Sequence, residues 1–321
     1  MDVVFYEAFK EEQGAIKKYL GPKIRAAFRS TTIQESGDKN PPSRLISIRT
    51  QSRIPKRWKG VKAVLTRSQG YDHLLEWQAK ADSANRAGYL GNYCARAVAE
   101  QAVFLMLMLM RQCKKQVRQF DSFDRNGLTG VECKSRNACI VGVGSIGKEI
   151  ADILKGLKMN VCGVDKVKRL KMLEYVTLIS GIRRADALFC ALPLTKETRG
   201  LLDYRALSHS KKGLILVNIA RAEITPVKGL RRLMKEGRIK ALALDVFEDE
   251  PELAVYLRRK TGRLGRNNRI ILEMRGNDNV VLTPHNAFNT EEALNEKAKQ
   301  TVRAVKSYLR CGRFPTQIPA A

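Results

Sequence analysis

The stretch Gly142-Val143-Gly144-Ser145-Ile146-Gly147 limits what can surround it more than any other part of this chain. An apolar run at 138–141 leads into it, a helix-like segment at 146–157 follows, and a second apolar run at 161–164 ends at Asp165. In such a strand–turn–helix setting the first glycine permits a tight turn and the second lets a pyrophosphate approach the backbone. The third lets the helix pack on the strand. Ser145, Ile146 and their neighbours then offer N–H groups and the positive end of the helix dipole to the phosphates. Glycines at this spacing also serve ordinary tight turns. The strand before, the helix after and the acid at its distance turn the pattern into the expectation of a dinucleotide site. Asp165 stands where a carboxylate accepts hydrogen bonds from ribose hydroxyls. NAD is therefore expected, because that charge opposes a 2′-phosphate, although Lys166, Lys168 and Arg169 follow closely.

The same alternation continues on both sides. Beyond Asp165, apolar runs recur at 187–192, 214–219, 241–246 and 280–282 with helical stretches between the first three. One of these, 225–235, has Thr225 to cap it and Pro226 at its first position. Together these runs make six or so parallel strands in a doubly wound sheet. Upstream, 3–6, 45–48 and 61–65 read as strands, 13–20 as an amphipathic helix and 37–43 as a loop, with a polar loop at 66–73 at a strand's carboxyl end. The longest helical stretch, 95–119, has a wide apolar face suited to the core or to a subunit interface. Residues 120–136 read as a loop and 251–279 as a basic surface excursion with one short helix. The last helix, 291–309, places Leu294, Ala298, Val302, Val305 and Leu309 on one face that packs back on the N-terminal domain. The expected fold is α/β with two Rossmann-like or flavodoxin-like domains: 1–97 with 288–321 binding substrate, and 98–287 binding the nucleotide.

Composition narrows the class of function. Fifty-nine Lys and Arg against 32 Asp and Glu give a net charge of +27. These cations are spread along the chain with no tail or aromatic-interleaved patch, so nucleic acid is not the expected partner. A basic surface shaped by the organism's proteome as a whole is the favoured account, and a field that draws in anionic substrates and NADH is the intermediate one. The longest apolar stretch, 102–110, is too short for a membrane span, and Asp2 and Glu7 flank the first apolar segment in a layout unlike a signal peptide. The seven cysteines have no C-x-x-C pairing and no histidine partners, which points to reduced thiols, a cytoplasmic setting and no metal site.

Four polar residues sit at or just beyond the ends of strand-like runs: Arg221, Asp245, Glu250 and His285. In a parallel sheet these ends share one edge, the edge that holds the dinucleotide. Each residue alone has a bland explanation, a surface charge for Arg221 or a turn residue before Pro251 for Glu250; their common placement favours chemistry. Hydride transfer to a ketone needs a proton donor near neutral pH, which suits histidine, and a carboxylate that fixes its tautomer. A guanidinium clamps a carboxylate through two hydrogen bonds. Of the other histidines, His209 reads as a solvated helix end and His73 as loop.

At these residues the chain resembles the D-isomer-specific 2-hydroxyacid dehydrogenases, strongly over 61–290 and in layout before that. Arg67-Ser68-Gln69-Gly70-Tyr71-Asp72 looks like the substrate loop, and Tyr93 with Ala97-Val98-Ala99-Glu100 like the start of the interdomain helix. Leu192-Pro193-Leu194-Thr195 with Thr198 looks like the segment lining the cofactor. Asn218-Ile219-Ala220-Arg221, Asp245-Val246-Phe247-Glu248-Asp249-Glu250-Pro251 and Thr283-Pro284-His285 look like the signature segments. The resemblance implies that Arg221 binds the keto acid's carboxylate and carbonyl oxygen, that His285 protonates that oxygen and that Glu250 tunes the imidazole. It implies cofactor contacts from Leu192, Pro193, Thr198, Ile219, Ala220 and Asp245, the last to the nicotinamide carboxamide. Backbone N–H groups of Ser68, Gln69 and Gly70 would grip the substrate carboxylate, and Tyr93 resembles the tyrosine that enters the pocket in the lactate-type branch. Glu250 differs from the glutamine of the formate dehydrogenase branch. Ala222 and Lys158 stand where glycines are usual, and Pro226 where an aspartate is. The implied activity is NAD-dependent interconversion of a small 2-keto acid and a D-2-hydroxy acid in a homodimer, with pyruvate and D-lactate as the first pair. The alternatives are a glyoxylate or hydroxypyruvate reductase and, more distantly, an NAD(H)-sensing protein like the corepressor relatives.

Overall fold

Short apolar runs feeding amphipathic helices leave the chain only parallel pairing, and two parallel sheets result. The structure, a computed structural model, describes residues 1–80 and 86–319. Contacts divide the chain into two compact units, Met1–Cys94 with Asn289–Ala321, and Ala95–Phe288. In the first unit β1 (Val3–Phe5), β2 (Ala26–Phe28), β3 (Leu45–Ile48), β4 (Ala63–Thr66) and β5 (Arg86–Gly88) form a sheet of order β2-β1-β3-β4-β5. The second unit holds β6 (Asn137–Val141), β7 (Asn160–Val164), β8 (Glu174–Tyr175), β9 (Ala187–Cys190), β10 (Leu214–Asn218), β11 (Ile239–Leu244) and β12 (Val280–Leu282). Its order is β12-β11-β10-β9-β6-β7-β8, every pair parallel. The direction of winding reverses between β6 and β9, where the loops after the two strands diverge and leave a crevice.

Burial follows the sequence period. The helix Ser145–Gly156 buries Gly147, Ile150, Ala151 and Leu154, one face at helical spacing. The helix Glu291–Cys311 belongs to the first unit, where Ala298, Val302 and Val305 join Val3, Phe5, Ile16 and Leu20 in one core cluster. Its inward face is rotated from the expected one: Leu309 is exposed, while Lys297 and Thr301 are buried.

Several local expectations change. The sheet of the second unit has seven strands because Glu174–Tyr175 adds a two-residue edge too short to show a period. The stretch 95–119 is two helices, Ala95–Met110 and Cys113–Gln119. Gln112 takes a left-handed conformation (φ 52°), and the Met110 carbonyl accepts from the Val131 N–H at 2.9 Å instead of continuing the helix. The region 251–279 carries the helices Glu250–Arg259 and Arg266–Met274, and the second sends Ile270, Ile271 and Met274 into the core. Pro226 precedes the helix Val227–Lys235 at its cap position, so Thr225 is not the cap. A Glu248 carboxylate oxygen caps it instead, accepting from the Val227 N–H at 3.2 Å. Lys158 has φ 59°, which is why glycine is common there, whereas Ala222 sits in a 3-10 turn with no positive φ.

Candidate active site

The glycine loop leaves the carboxyl end of β6. Gly142 has φ 98°, and a Cβ there would lie 2.6 Å from the Ala191 carbonyl oxygen; at Gly147 it would lie 2.1 Å from the Gly142 carbonyl oxygen. Both are required by the chain's own packing. Gly144 is different: its φ is −79° and a Cβ would meet nothing within 4 Å. The fold does not demand glycine at Gly144. A bare backbone at the start of the helix Ser145–Gly156, whose first-turn N–H groups have no intrahelical acceptor, leaves the room that a dinucleotide's phosphates need. Leu192 lies beside Gly142, its Cδ2 only 3.0 Å from where a Cβ would stand. Thr198 closes the following loop by donating to the Pro193 carbonyl at 2.7 Å and accepting from the Thr195 N–H at 2.8 Å. Asp165, at the end of β7, accepts from the Val143 N–H at 2.7 Å and the Val167 N–H at 3.0 Å, with the Arg169 guanidinium 3.7 Å away. Its carboxylate thus holds the glycine loop.

Arg221 follows β10, and Asn218, fully buried, shapes the turn that presents it. The Asn218 amide donates to the Arg221 carbonyl at 2.9 Å and to Thr225 Oγ1 at 2.7 Å, and its Oδ1 accepts from the Ala220 N–H at 2.9 Å. The Asn218 carbonyl accepts from the Asp245 N–H at 3.0 Å, tying the ends of β10 and β11 together. Ile219 and Ala220 are buried within this turn. The Arg221 guanidinium donates to the Ala220 carbonyl at 2.9 Å.

His285 and Glu250 meet directly. His285 Nδ1 lies 2.9 Å from Glu250 Oε1 and 2.8 Å from Oε2. A carboxylate only accepts, so Nδ1 carries the hydrogen and Nε2 is the nitrogen left to exchange a proton. Both residues are presented by left-handed backbone at non-glycine positions, His285 itself at φ 51° and Asp249, immediately before Glu250, at φ 49°. Such conformations persist where surrounding bonds over-determine them. Here Asp245, 1% exposed, supplies those bonds: Oδ1 accepts from Thr283 Oγ1 at 2.5 Å and the Asn286 N–H at 2.9 Å, and Oδ2 accepts from the Ala287 N–H at 2.9 Å. Burial pushes the Asp245 carboxyl above its ordinary range, against the opposing pull of His285, Thr283 and the two N–H groups. Asp245 thus fastens the His285 loop through three donors from 283–287. Asn218, Thr283 and Glu248 were not singled out from sequence. Asn218 and Thr283 lie inside the quoted signature segments, where a polar residue closing an apolar run was the available signal.

The remaining expected residues belong to the first unit. Ser68, Gln69 and Gly70 follow β4, and their backbone N–H groups have no acceptor among the described residues. Ser68 Oγ donates to the Gly70 carbonyl at 2.7 Å and lies 2.7 Å from Thr66 Oγ1, which lies 3.0 Å from His73 Nε2. With the Ser68 proton committed to Gly70, each hydroxyl must accept from the group behind it. The Ser68 hydroxyl thus braces the loop, and the outward donors are backbone N–H groups. Burial pushes the Tyr93 hydroxyl well above its ordinary value, with the neighbouring Cys94 thiol adding to it. Just behind the loop, Arg67, fully buried, donates through Nε to Glu12 Oε1 at 3.0 Å, through Nη1 to Ser47 Oγ at 3.1 Å and through Nη2 to the Tyr6 carbonyl at 2.6 Å. Lys297 Nζ reaches the same Glu12 Oε1 at 2.6 Å. Among the described residues no cluster of His, Cys, Asp or Glu is arranged to hold a metal ion, and no helix is long and apolar enough to cross a membrane.

Comparison with known proteins bears on this geometry. Residues 103–287 match the family model described as the NAD binding domain of D-isomer specific 2-hydroxyacid dehydrogenases. A D-specific alpha-keto acid dehydrogenase of Enterococcus faecium is 26% identical over 298 residues, spanning 88% of this chain and 90% of that protein. The 2-hydroxyacid dehydrogenase homolog 1 of Schizosaccharomyces pombe is 30% identical over 268 residues, spanning 81% of this chain and 79% of its own. Among solved structures, D-lactate dehydrogenase from Aquifex aeolicus complexed with NAD and lactic acid superposes with a TM-score of 0.84 at 26% identity, covering 98% of both chains.

Proposed function

This chain belongs to the D-isomer specific 2-hydroxyacid dehydrogenases, NAD-dependent oxidoreductases, and from that premise we propose that it reduces short 2-keto acids to D-2-hydroxy acids, with pyruvate to D-lactate the first reaction to test. The observation that carries the proposal is the His285–Glu250 pair, with Nδ1 committed to both carboxylate oxygens. In it Nε2 delivers a proton to the carbonyl oxygen as that oxygen gains charge, and Glu250 holds the ring through Nδ1 so that Nε2 is the nitrogen that does so. Bound NADH supplies the hydride. Arg221 takes the substrate carboxylate and polarises the carbonyl through a bidentate fork. The backbone N–H groups of Ser68, Gln69 and Gly70 serve in this reading as donors to a substrate carboxylate.

The unit Met1–Cys94 with Asn289–Ala321 is in this proposal the substrate-binding part, and Ala95–Phe288 the cofactor-binding part. Gly144, Ser145, Ile146 and Gly147 hold the pyrophosphate, Asp165 the ribose, and Leu192, Pro193, Thr198, Ile219 and Ala220 line the cofactor. In this reading a second copy of the chain covers the exposed Phe104, Val117, Phe120 and Phe123, which stand on or next to consecutive elements. Light scattering at a monomeric mass would remove the dimer. The reaction itself is tested by NADH oxidation with pyruvate, glyoxylate, hydroxypyruvate and longer 2-keto acids; turnover of none of them defeats it, and their ranking separates lactate-type from glyoxylate-type activity.

A further inference from the structure

We propose that Cys139 and Cys162 are a peroxide-sensitive thiol pair, which closes to a disulfide and thereby weakens dinucleotide binding at the far ends of their strands. The pair acts on the cofactor loop, whichever 2-keto acid the protein reduces.

The placement comes from the sheet. Cys139 and Cys162 are the third residues of β6 and β7 and are register partners in that parallel pair. Partners of this kind send their side chains to the same face. Cys139 Sγ lies under the helix Leu178–Arg184, where a Cβ added to Gly181 would stand 2.6 Å from it. Cys162 lines a cavity together with Arg184 and Ala185, at the end of that same helix. Adjacent strands run about 4.8 Å apart. That spacing lies inside the Cα separation of about 4.4–6.8 Å over which a disulfide closes.

Access and reactivity set this pair apart. A buried cysteine is ordinarily a small apolar core residue. Cys190 on the neighbouring β9 is one, fully buried, with its thiol pushed up to about 12 by that burial. Cys162 differs in two ways. It lines a cavity of about 250 Å³ at the edge where β6 and β7 begin, with Asn137, Asn160, Glu174 and Arg184 around it. Peroxide entering there does not cross the edge that serves the dinucleotide. The Cys162 thiol also sits below its ordinary range despite burial, because Cys139 hydrogen-bonds its thiolate and the Arg184 guanidinium draws it down further against Glu174. The same bond, with burial, raises Cys139. One sulfur is thus poised as a thiolate and its neighbour keeps a proton, as an attacking and a resolving thiol require.

The Cys162 thiolate attacks one peroxide oxygen, the O–O bond breaks, hydroxide leaves and a sulfenic acid forms. The Cys139 sulfur then displaces that oxygen, and its own proton leaves with the hydroxyl as water. Two thiols are oxidised to one disulfide, and one peroxide is reduced to two waters. Cys139 stands three residues before Gly142, and Cys162 three before Asp165. These ends are joined by the Gly142 N–H donating to the Val164 carbonyl at 2.9 Å and the Val143 N–H donating to Asp165 at 2.7 Å. A disulfide holds its Cβ atoms about 3.5–4.5 Å apart, closer than the strand spacing of about 4.8 Å. Closing it draws β6 and β7 together just below those bonds and displaces the glycine loop.

The test treats the full chain with hydrogen peroxide, removes the oxidant, and maps peptides from a non-reducing digest. NADH affinity is read in parallel by fluorescence titration, for the wild type, Cys139→Ala and Cys162→Ala, before and after dithiothreitol. The wild type is expected to yield a Cys139–Cys162 linked peptide and to lose NADH affinity by about fivefold or more, both reversed by the reductant. Cys139→Ala should keep its affinity under peroxide while dimedone traps Cys162 as the sulfenic acid. Cys162→Ala should keep its affinity with Cys139 unmodified. Cys311 is exposed and oxidises on its own account, which the map separates. Absence of the Cys139–Cys162 link in the wild type, at peroxide levels that oxidise Cys311, overturns the proposal whatever the variants do. A link that leaves NADH affinity unchanged overturns the coupling to the cofactor loop, and so does an affinity loss that persists in both variants.

Discussion

The molecule keeps two carboxylate–cation arrangements under opposite conditions. Glu250 meets His285 where both side chains retain access to solvent, 15% and 22% exposed; Glu12 meets Arg67 and Lys297 where all three are at most 1% exposed. The accessible pair is held by backbone, with left-handed residues at Asp249 and His285 and the Asp245 bonds to 283–287. Being open and bonded through one ring nitrogen, it can exchange a proton at the other. The sealed cluster has no such freedom. Its groups are held by mutual contact, and Arg67 joins the helix Lys10–Leu20 to the end of β4 through Glu12. Proton transfer calls for the first arrangement and fastening of distant elements for the second.

Four substitutions break or sharpen that contrast, in order of expected effect. His285→Ala removes the exchangeable proton and should lower kcat by about 10²–10⁴ while leaving NADH affinity near wild type; an unchanged kcat in single-turnover measurements would reassign the donor. Asp245→Asn leaves one acceptor oxygen and an amide against three donors, and should cost kcat about tenfold or more by loosening the His285 loop. A change confined to KM in that variant would mean that Asp245 serves binding instead. Arg221→Lys replaces a fork by a point charge and should raise KM for the keto acid roughly tenfold, with a smaller change in kcat; steady-state kinetics across the panel checks it. The smallest effect is expected on stability, from Lys297→Met. Its folded pKa, about 7, lies below the ordinary 10.5 of lysine. Below about pH 7 both folded and unfolded chains are protonated and burial of the charge is fully penalised, whereas between about pH 7 and 10.5 the unfolded chain binds more protons and stability rises with pH. The variant should melt no lower than wild type near pH 6 and should lose part of the rise toward pH 9. A thermal scan showing a lower Tm at pH 6 would make Lys297 a stabilising partner of Glu12.

Much of the site was legible because its parts are local. The glycine spacing, the acid after the second strand and the polar residues closing apolar runs all lie within a few residues of the elements that position them. What stayed hidden depends on pairs far apart in the chain. Glu12 and Lys297 come from opposite ends of the sequence, and each reads alone as an ordinary charge on an amphipathic helix. Lys297 stands three residues after Leu294, on the border of the apolar stripe, so periodicity could not tell whether it faced water or core. The contact of Glu248 with Val227 and the fastening of 283–287 by Asp245 are of the same kind. The break at Gln112 was missed because the apolar pattern runs on through it, and the competing acceptor geometry comes from Val131.

Sequence alone therefore determined the family, the NAD-binding loop and the parallel α/β class, since each rests on spacing between near neighbours and on backbone conformations that few residues tolerate. Tertiary structure decided which carboxylate fastens which loop, which of His285's nitrogens is left to work, and that Glu12, Arg67 and Lys297 meet out of solvent in the first unit. Those outcomes depend on burial and on distances between remote residues, and hydrogen bonds and charges act over ångströms in space whatever their separation along the chain.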